Sequence, residues 1–138
     1  MKERQPVGFD CTITLPAGTA TSSGTDCAPV VPPDKILVIE FLTIRANLPT
    51  GQIPHIIIQT SVFKLGAPPG TTIQNNHRIA FTSGPLKSTA VSDEYFATHH
   101  VKMYALGGDD IGINFSRNST SGEAFAVIDF SGYLVDSL

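Results

Sequence analysis

Apolar and polar residues alternate with a period of two along much of this chain. In 110–116, Ile111, Ile113 and Phe115 point one way, and Gly112, Asn114 and Ser116 the other. Successive side chains on a strand leave on opposite faces, so this segment reads as a strand with one dry and one wet face. Val101, Met103 and Ala105 alternate with Lys102 and Tyr104 in the same way. Two other segments are apolar on both faces. In 35–46, Ile36, Val38, Leu42 and Ile44 fall on one side, and Leu37, Ile39 and Phe41 on the other. In the last segment Ala124, Ala126, Ile128, Phe130 and Leu134 share one face, and Phe125, Val127, Tyr133 and Val135 the other. A strand apolar on both faces is covered on both. A small sandwich has one core, so the second face needs a cover. Another copy of the chain, meeting it at Phe125, Val127, Tyr133 and Val135, is the reading we adopt. The alternative is a long N-terminal segment folded across the sheet.

Extending the alternation gives eight strand candidates, at about 9–15, 27–31, 35–47, 53–63, 76–82, 99–106, 110–116 and 123–135. Turn chemistry separates them in PAGTATSSG, VPPD, LPTGQ, LGAPPGTTIQ, SGPLKST, LGGDD and RNSTSG. Helical periodicity is missing, apart from one short helical turn expected near Ser92 within 88–98. No internal repeat is evident, which argues against a propeller or solenoid. The expected fold is all-β: a two-sheet antiparallel sandwich with jelly-roll topology. One domain should span 1–138, with 1–33 as an N-terminal arm.

Composition sharpens the assembly question. Of 138 residues 41% are apolar and only 15% charged, against about a quarter in an ordinary soluble chain. So low a charge fraction fits a surface partly covered by another subunit. The net charge is −3 and lysines and arginines do not cluster. That makes nucleic acid and anionic membrane poor partners. No apolar run approaches the 18 or so residues of a membrane span, so no membrane insertion is expected. MKERQPVGFD has no signal-peptide core. The chain is then either cytoplasmic or a product whose leader has been removed. We favour a secreted or cell-surface location.

Val101 to Val135 holds a strand, a Gly108-Asp109 opening before Ile111, and a closing Phe130-Ser-Gly132-Tyr133-Leu134 that follows the earlier Leu106. This stretch, about a quarter of the chain, resembles the closing strands of the complement globular-head and tumour-necrosis-factor jelly rolls. The pairing of VPPDKILVIEF with FSGYLVD is also similar to small bacterial β-sandwich proteins of undefined activity. The first resemblance implies a jelly roll that often trimerises through the sheet holding its terminal strands. It brings no active site.

Candidate chemistry is sparse. His99 and His100 are adjacent and point to opposite faces of a strand, so they cannot share a metal in regular geometry. His55 and His77 read as structural or solvent-facing. Jelly-roll cupins hold metal with two histidines one residue apart plus a glutamate, and that arrangement is absent. Asp109 and Asp110 could contribute to a calcium site, which needs six to eight oxygens; the plainer reading is a turn. No GxSxG occurs. Nothing in the sequence brings Glu40, Glu123 or Asp129 together as a glycosidase pair. No catalytic residue and no cofactor are expected. Asn76, His77 and Arg78, with Asp93, Glu94 and Tyr95, supply the amide, carboxylate and aromatic groups of a sugar site. The lack of Trp weighs against that.

Cys11 and Cys27 flank a Gly/Ser/Thr-rich loop. A disulfide between them would contribute about 3 kcal/mol in the chain-entropy picture; the alternative is two thiols. Asn114 and Asn118 both stand in glycosylation sequons, the first within a strand and the second in an accessible turn.

The functional reading is a non-enzymatic, homo-oligomeric β-sandwich, a trimer by resemblance, with a structural, adhesion or recognition role. A lectin-like carbohydrate-binding module is the alternative, with a glycan as partner. A small jelly-roll enzyme comes last.

Overall fold

The computed structural model describes residues 3–24, 30–81, 84–108 and 111–137, and among them it contains nine strands and no helix. These are β1 (Gln5–Leu15), β2 (Thr21–Gly24), β3 (Lys35–Pro49), β4 (Pro54–Phe63), β5 (Thr72–Ile79), β6 (Lys87–Ser88), β7 (Ser92–Leu106), β8 (Gly112–Arg117) and β9 (Ala124–Asp136). One sheet runs β1-β9-β3-β7-β6 and the other β2-β8-β4-β5. Every neighbouring pair is antiparallel. Only the β4–β5 and β6–β7 connections stay within a sheet; every other one crosses to the opposite sheet. That interleaved winding is a jelly roll, as the alternation pattern predicted.

The core lies between the sheets. Ile56 and Ile58 of β4 and Ile113 and Phe115 of β8 meet Leu42 and Ile44 of β3 and Ala126 and Ile128 of β9. β8 buries alternate residues, as its sequence requires. Phe9 of β1 stacks on Phe130 with ring centroids 4.6 Å apart. Each such side chain is worth about 1.5–3 kcal/mol of transfer free energy when fully buried.

Two sequence expectations are corrected. Ser92 opens β7, a continuous strand to Leu106, so no helical turn forms there. The reason is partnership: β7 pairs with β3 from Pro49↔Ser92 onward, and the ladder overrides weak local preference. The second strand is also misplaced. It is Thr21–Gly24, paired with β8, while 30–31 carry no strand and 25–29 lie outside the described residues.

The two-faced reading of 35–46 needs a third correction. The register shifts between Ile39 and Phe41, with exposed Glu40 as the extra residue. Such a bulge inverts the alternation beyond it. Leu37 and Ile39 therefore share the core face with Leu42 and Ile44, while Ile36, Val38 and Phe41 face outward. Gly132 lies opposite Ile39 at this shift. A Cβ there would meet the carbonyl oxygen of Val38 at 1.9 Å, so only glycine lets the strands approach.

Candidate functional site

The outer face of the β1-β9-β3-β7 sheet is built in cross-strand rows. Val135, Ile36 and Leu106 form one row; Tyr133, Val38 and Tyr104 form the next. Farther along come Ser131–Phe41–His100, Asp129–Thr43–Thr98, Val127–Arg45–Phe96 and Phe125–Asn47–Glu94. Val38 is 2% exposed although it stands outside the core cluster, because the two tyrosines flank it. Arg4 lies over the Tyr133 ring, 4.5 Å from its centroid. Ile36, Val38, Tyr104, Leu106, Tyr133 and Val135 line a groove of ≈ 1210 Å³ at this end of the sheet. Lys35 and Asp136 pair at its rim, which raises the Lys35 pKa, chiefly through that hydrogen bond. Phe125, Val127, Tyr133 and Val135 all stand on this face, each half-buried. Cross-strand neighbours cover part of each residue and leave the remainder open.

The six residues of the expected sugar site do not share one cavity. Asn76, His77 and Arg78 lie on β5. His77 points inward, with Nε2 3.2 Å from the hydroxyl of buried Thr60, and burial lowers its pKa. Arg78 Nη1 lies 3.5 Å from His55 Nε2 on β4. Asp93 is 4% exposed and accepts from Ser88 Oγ and from the Gly51 amide at 2.9 Å. These bonds, Ser88 first, hold its carboxyl below the usual range. Glu94 lies 3.8 Å from Arg45. Tyr95 is buried, donates to the Gln52 carbonyl at 3.1 Å and has its pKa raised, first by burial and then by Asp93. Asp93 and Tyr95 are thus engaged in bracing the β3–β4 turn, and Glu94 in an ion pair with Arg45 of β3.

A cleft of ≈ 370 Å³ is lined by His77, Ile79, His99, Val101 and Met103, with Arg78 and Lys102 exposed on the outer sides of their strands. It lies between β5 and β7, which are edge strands there. His99 Nε2 donates to the Ala80 carbonyl at 2.7 Å. His100 faces the other way and packs on Phe41 at 5.0 Å between ring centroids, so the two adjacent histidines diverge as expected.

Sequence reasoning missed Arg117. It is 6% exposed, and its guanidinium donates to the carbonyls of Pro16, Thr19, Ser121 and Gly122 and to Gln52 Oε1. Three loops converge on this one side chain. The signal was available: the alternation that turns Ile111, Ile113 and Phe115 inward also turns Arg117 inward.

Cys11 is buried in the core on β1. Its expected partner Cys27 lies outside the described residues, as do Asp109 and Asp110. Among the described residues no three His, Cys, Asp or Glu groups are placed to hold a metal ion. Asn118 is exposed, with its side-chain oxygen accepting from the Ile53 amide at 2.9 Å; Asn114 is half-buried on β8.

No family model and no curated protein matches the chain. Among solved structures it is similar to Eiger TNF from S. frugiperda, at 9% identity, over 98% of this chain and 93% of that one, with a TM-score of 0.34. The jelly-roll assignment itself rests on the strand order.

Proposed function

We propose that this chain is a non-enzymatic recognition module that works as a homo-oligomer, assembled through the outer face of the β1-β9-β3-β7 sheet. One observation carries the reading: Val38 is buried on the side of the sheet away from the core, between Tyr104 and Tyr133. Beside it the Val135–Ile36–Leu106 row continues the apolar surface. A contiguous apolar patch of a few hundred Å² marks an interaction site on a soluble chain. Covering it with a second copy is worth several kcal/mol at about 25 cal/mol per Å², before association costs. The low charge fraction, 15%, supports the same reading. The copy number proposed is three, on the resemblance of Val101–Val135 to trimerising jelly rolls. A secreted or cell-surface location goes with the Cys11–Cys27 disulfide expected from the sequence.

Multi-angle light scattering at micromolar concentration tests the assembly. Three chain masses are expected. A single chain mass at that concentration would overturn the proposal.

A further inference from the structure

A two-fold contact sets a surface patch against itself. A closed ring of three sets one patch of each copy against a different patch of the next. The tyrosine groove on the proposed assembly face is one such patch. Its counterpart has to be a second apolar feature of the same chain.

The β4–β5 tip, residues 64–71, has the required character. Leu65 is 99% exposed and Phe63 beside it 62%, so two large apolar side chains stand in water. The tip is also stiff. The Lys64 amide donates to the Thr71 carbonyl at 2.9 Å, and the Thr71 amide to the Pro68 carbonyl at 3.1 Å. Pro68 and Pro69 each fix a further backbone angle. A loop already held in one shape loses little entropy on docking. Leucine and proline rings suit a groove walled by tyrosine faces.

Position and charge agree with this pairing. Phe63 and Thr72, where the tip leaves its strands, line the same groove as Tyr104 and Tyr133, while residues 64–71 do not. The tip therefore springs from the lip of its own groove and leaves it open. A short rotation about an axis beside the lip carries one copy's tip to the next copy's groove. Ile53 and Val91 are exposed as well, but they adjoin the Pro49↔Ser92 end of the sheet, opposite the groove at Ile36. At the groove's rim Glu3, Asp34 and Asp136 all act on the one ammonium of Lys35, and Arg4 lies over Tyr133. Three carboxylates against two cations make that rim acidic. The tip carries one charged residue, Lys64, of the opposite sign.

We infer that the 64–71 tip of one copy seats in the Tyr104–Tyr133 groove of the next, with Leu65 on the apolar rows and Lys64 against the acidic rim. The inference rests on the assembly reading above and names the segment that fills its groove.

Photo-cross-linking of the full chain tests it. Leu65→p-benzoylphenylalanine protein is prepared with and without nitrogen-15, mixed, reassembled and weighed by light scattering before illumination. Three chain masses are expected, with cross-links from position 65 to peptides holding Tyr104 or Tyr133 of a differently labelled copy. A single chain mass for the wild-type protein would overturn the assembly reading and this inference with it. Three chain masses with cross-links confined to one copy, or reaching the neighbour elsewhere, would overturn the inference and leave the assembly reading standing. Leu65→Asp should raise the dissociation constant at least about tenfold without changing the β-type circular dichroism, because the side chain makes no contribution to the core. Val91→Asp, at the opposite end and 80% exposed, should assemble like wild type. Leu65→Asp protein that assembles as tightly as wild type, or an equal loss in Val91→Asp, would also overturn it.

Discussion

Arg117 Nη1 donates to Gln52 Oε1 across 3.0 Å, and Gln52 Nε2 in turn donates to the Ser121 carbonyl at 2.7 Å, so one buried pair ties the β3–β4 turn to the β8–β9 turn. The same guanidinium holds Pro16 and Thr19 before β2. Arg117→Met should lower the unfolding free energy by about 2–4 kcal/mol, because several buried carbonyls lose their donor at once. Arg117→Lys should recover less than half of that, since an ammonium cannot reproduce the fork. Urea denaturation with an unchanged slope is the measurement. A loss under about 0.5 kcal/mol, the range of ordinary surface substitutions, would contradict this account.

Gly132→Ala should be among the most damaging small changes in the chain. The added methyl meets the Val38 carbonyl at 1.9 Å, and backbone cannot yield as a side-chain tip can. A loss of about 3 kcal/mol or more is expected, at the upper end of overpacking costs. Gly8→Ala, where the nearest atom is 3.4 Å away, provides the comparison and should cost far less. Thermal melts of the two variants side by side decide the matter.

Asp93 gives a pH dependence. Its folded pKa is held down by Ser88 Oγ and then by the Gly51 amide. A carboxyl depressed in the folded state adds stability that is fully present above its unfolded pKa, about 4, and lost as pH falls through the folded value. Asp93→Asn should therefore be less stable than wild type at neutral pH, with the gap closing in acid. Denaturant midpoints measured across that range would show parallel curves if the carboxylate contributed nothing.

Tyr133→Asp and Val127→Asp should each shift the assembled species to a single chain mass in light scattering. A carboxylate stranded in an apolar contact lacks the hydrogen bonds it had in water. Circular dichroism should stay β-type, because both side chains point away from the core. Unchanged oligomer mass in both variants would place the interface elsewhere.

Cys11 and Cys27 are expected to pair. The intact mass without reductant should fall two hydrogens short of the reduced chain, and reduction should cost about 3 kcal/mol. Free thiols on both residues in protein handled without reductant would rule the pairing out.

The alternation of β8 and β9 was legible because each strand has one face on a single core and no irregularity. β3 misled at Glu40, since a bulge reverses the parity and nothing in LVIEFLTI announces one. β2 is Thr-Ser-Ser-Gly, and its strand character comes from pairing with β8 and from no residue of its own. The sugar-site residues separate the same way. His77 and Arg78 were picked out with Asp93 and Tyr95 as groups of one sugar site, but the topology puts the two sets on strands of different sheets. Arg117 was overlooked because its partners are mostly backbone carbonyls, which every residue carries and no sequence displays.

β9 lies between β1 and β3, so the N-terminal strand touches its sheet only through the last one. During synthesis β1 waits unpaired until residues 124–136 have left the ribosome. Most of the ladders likewise join distant parts of the chain, a topology that folds slowly. Nascent chains halted before β9 therefore present a bare strand edge and half a core, and they are the species that chaperones must hold.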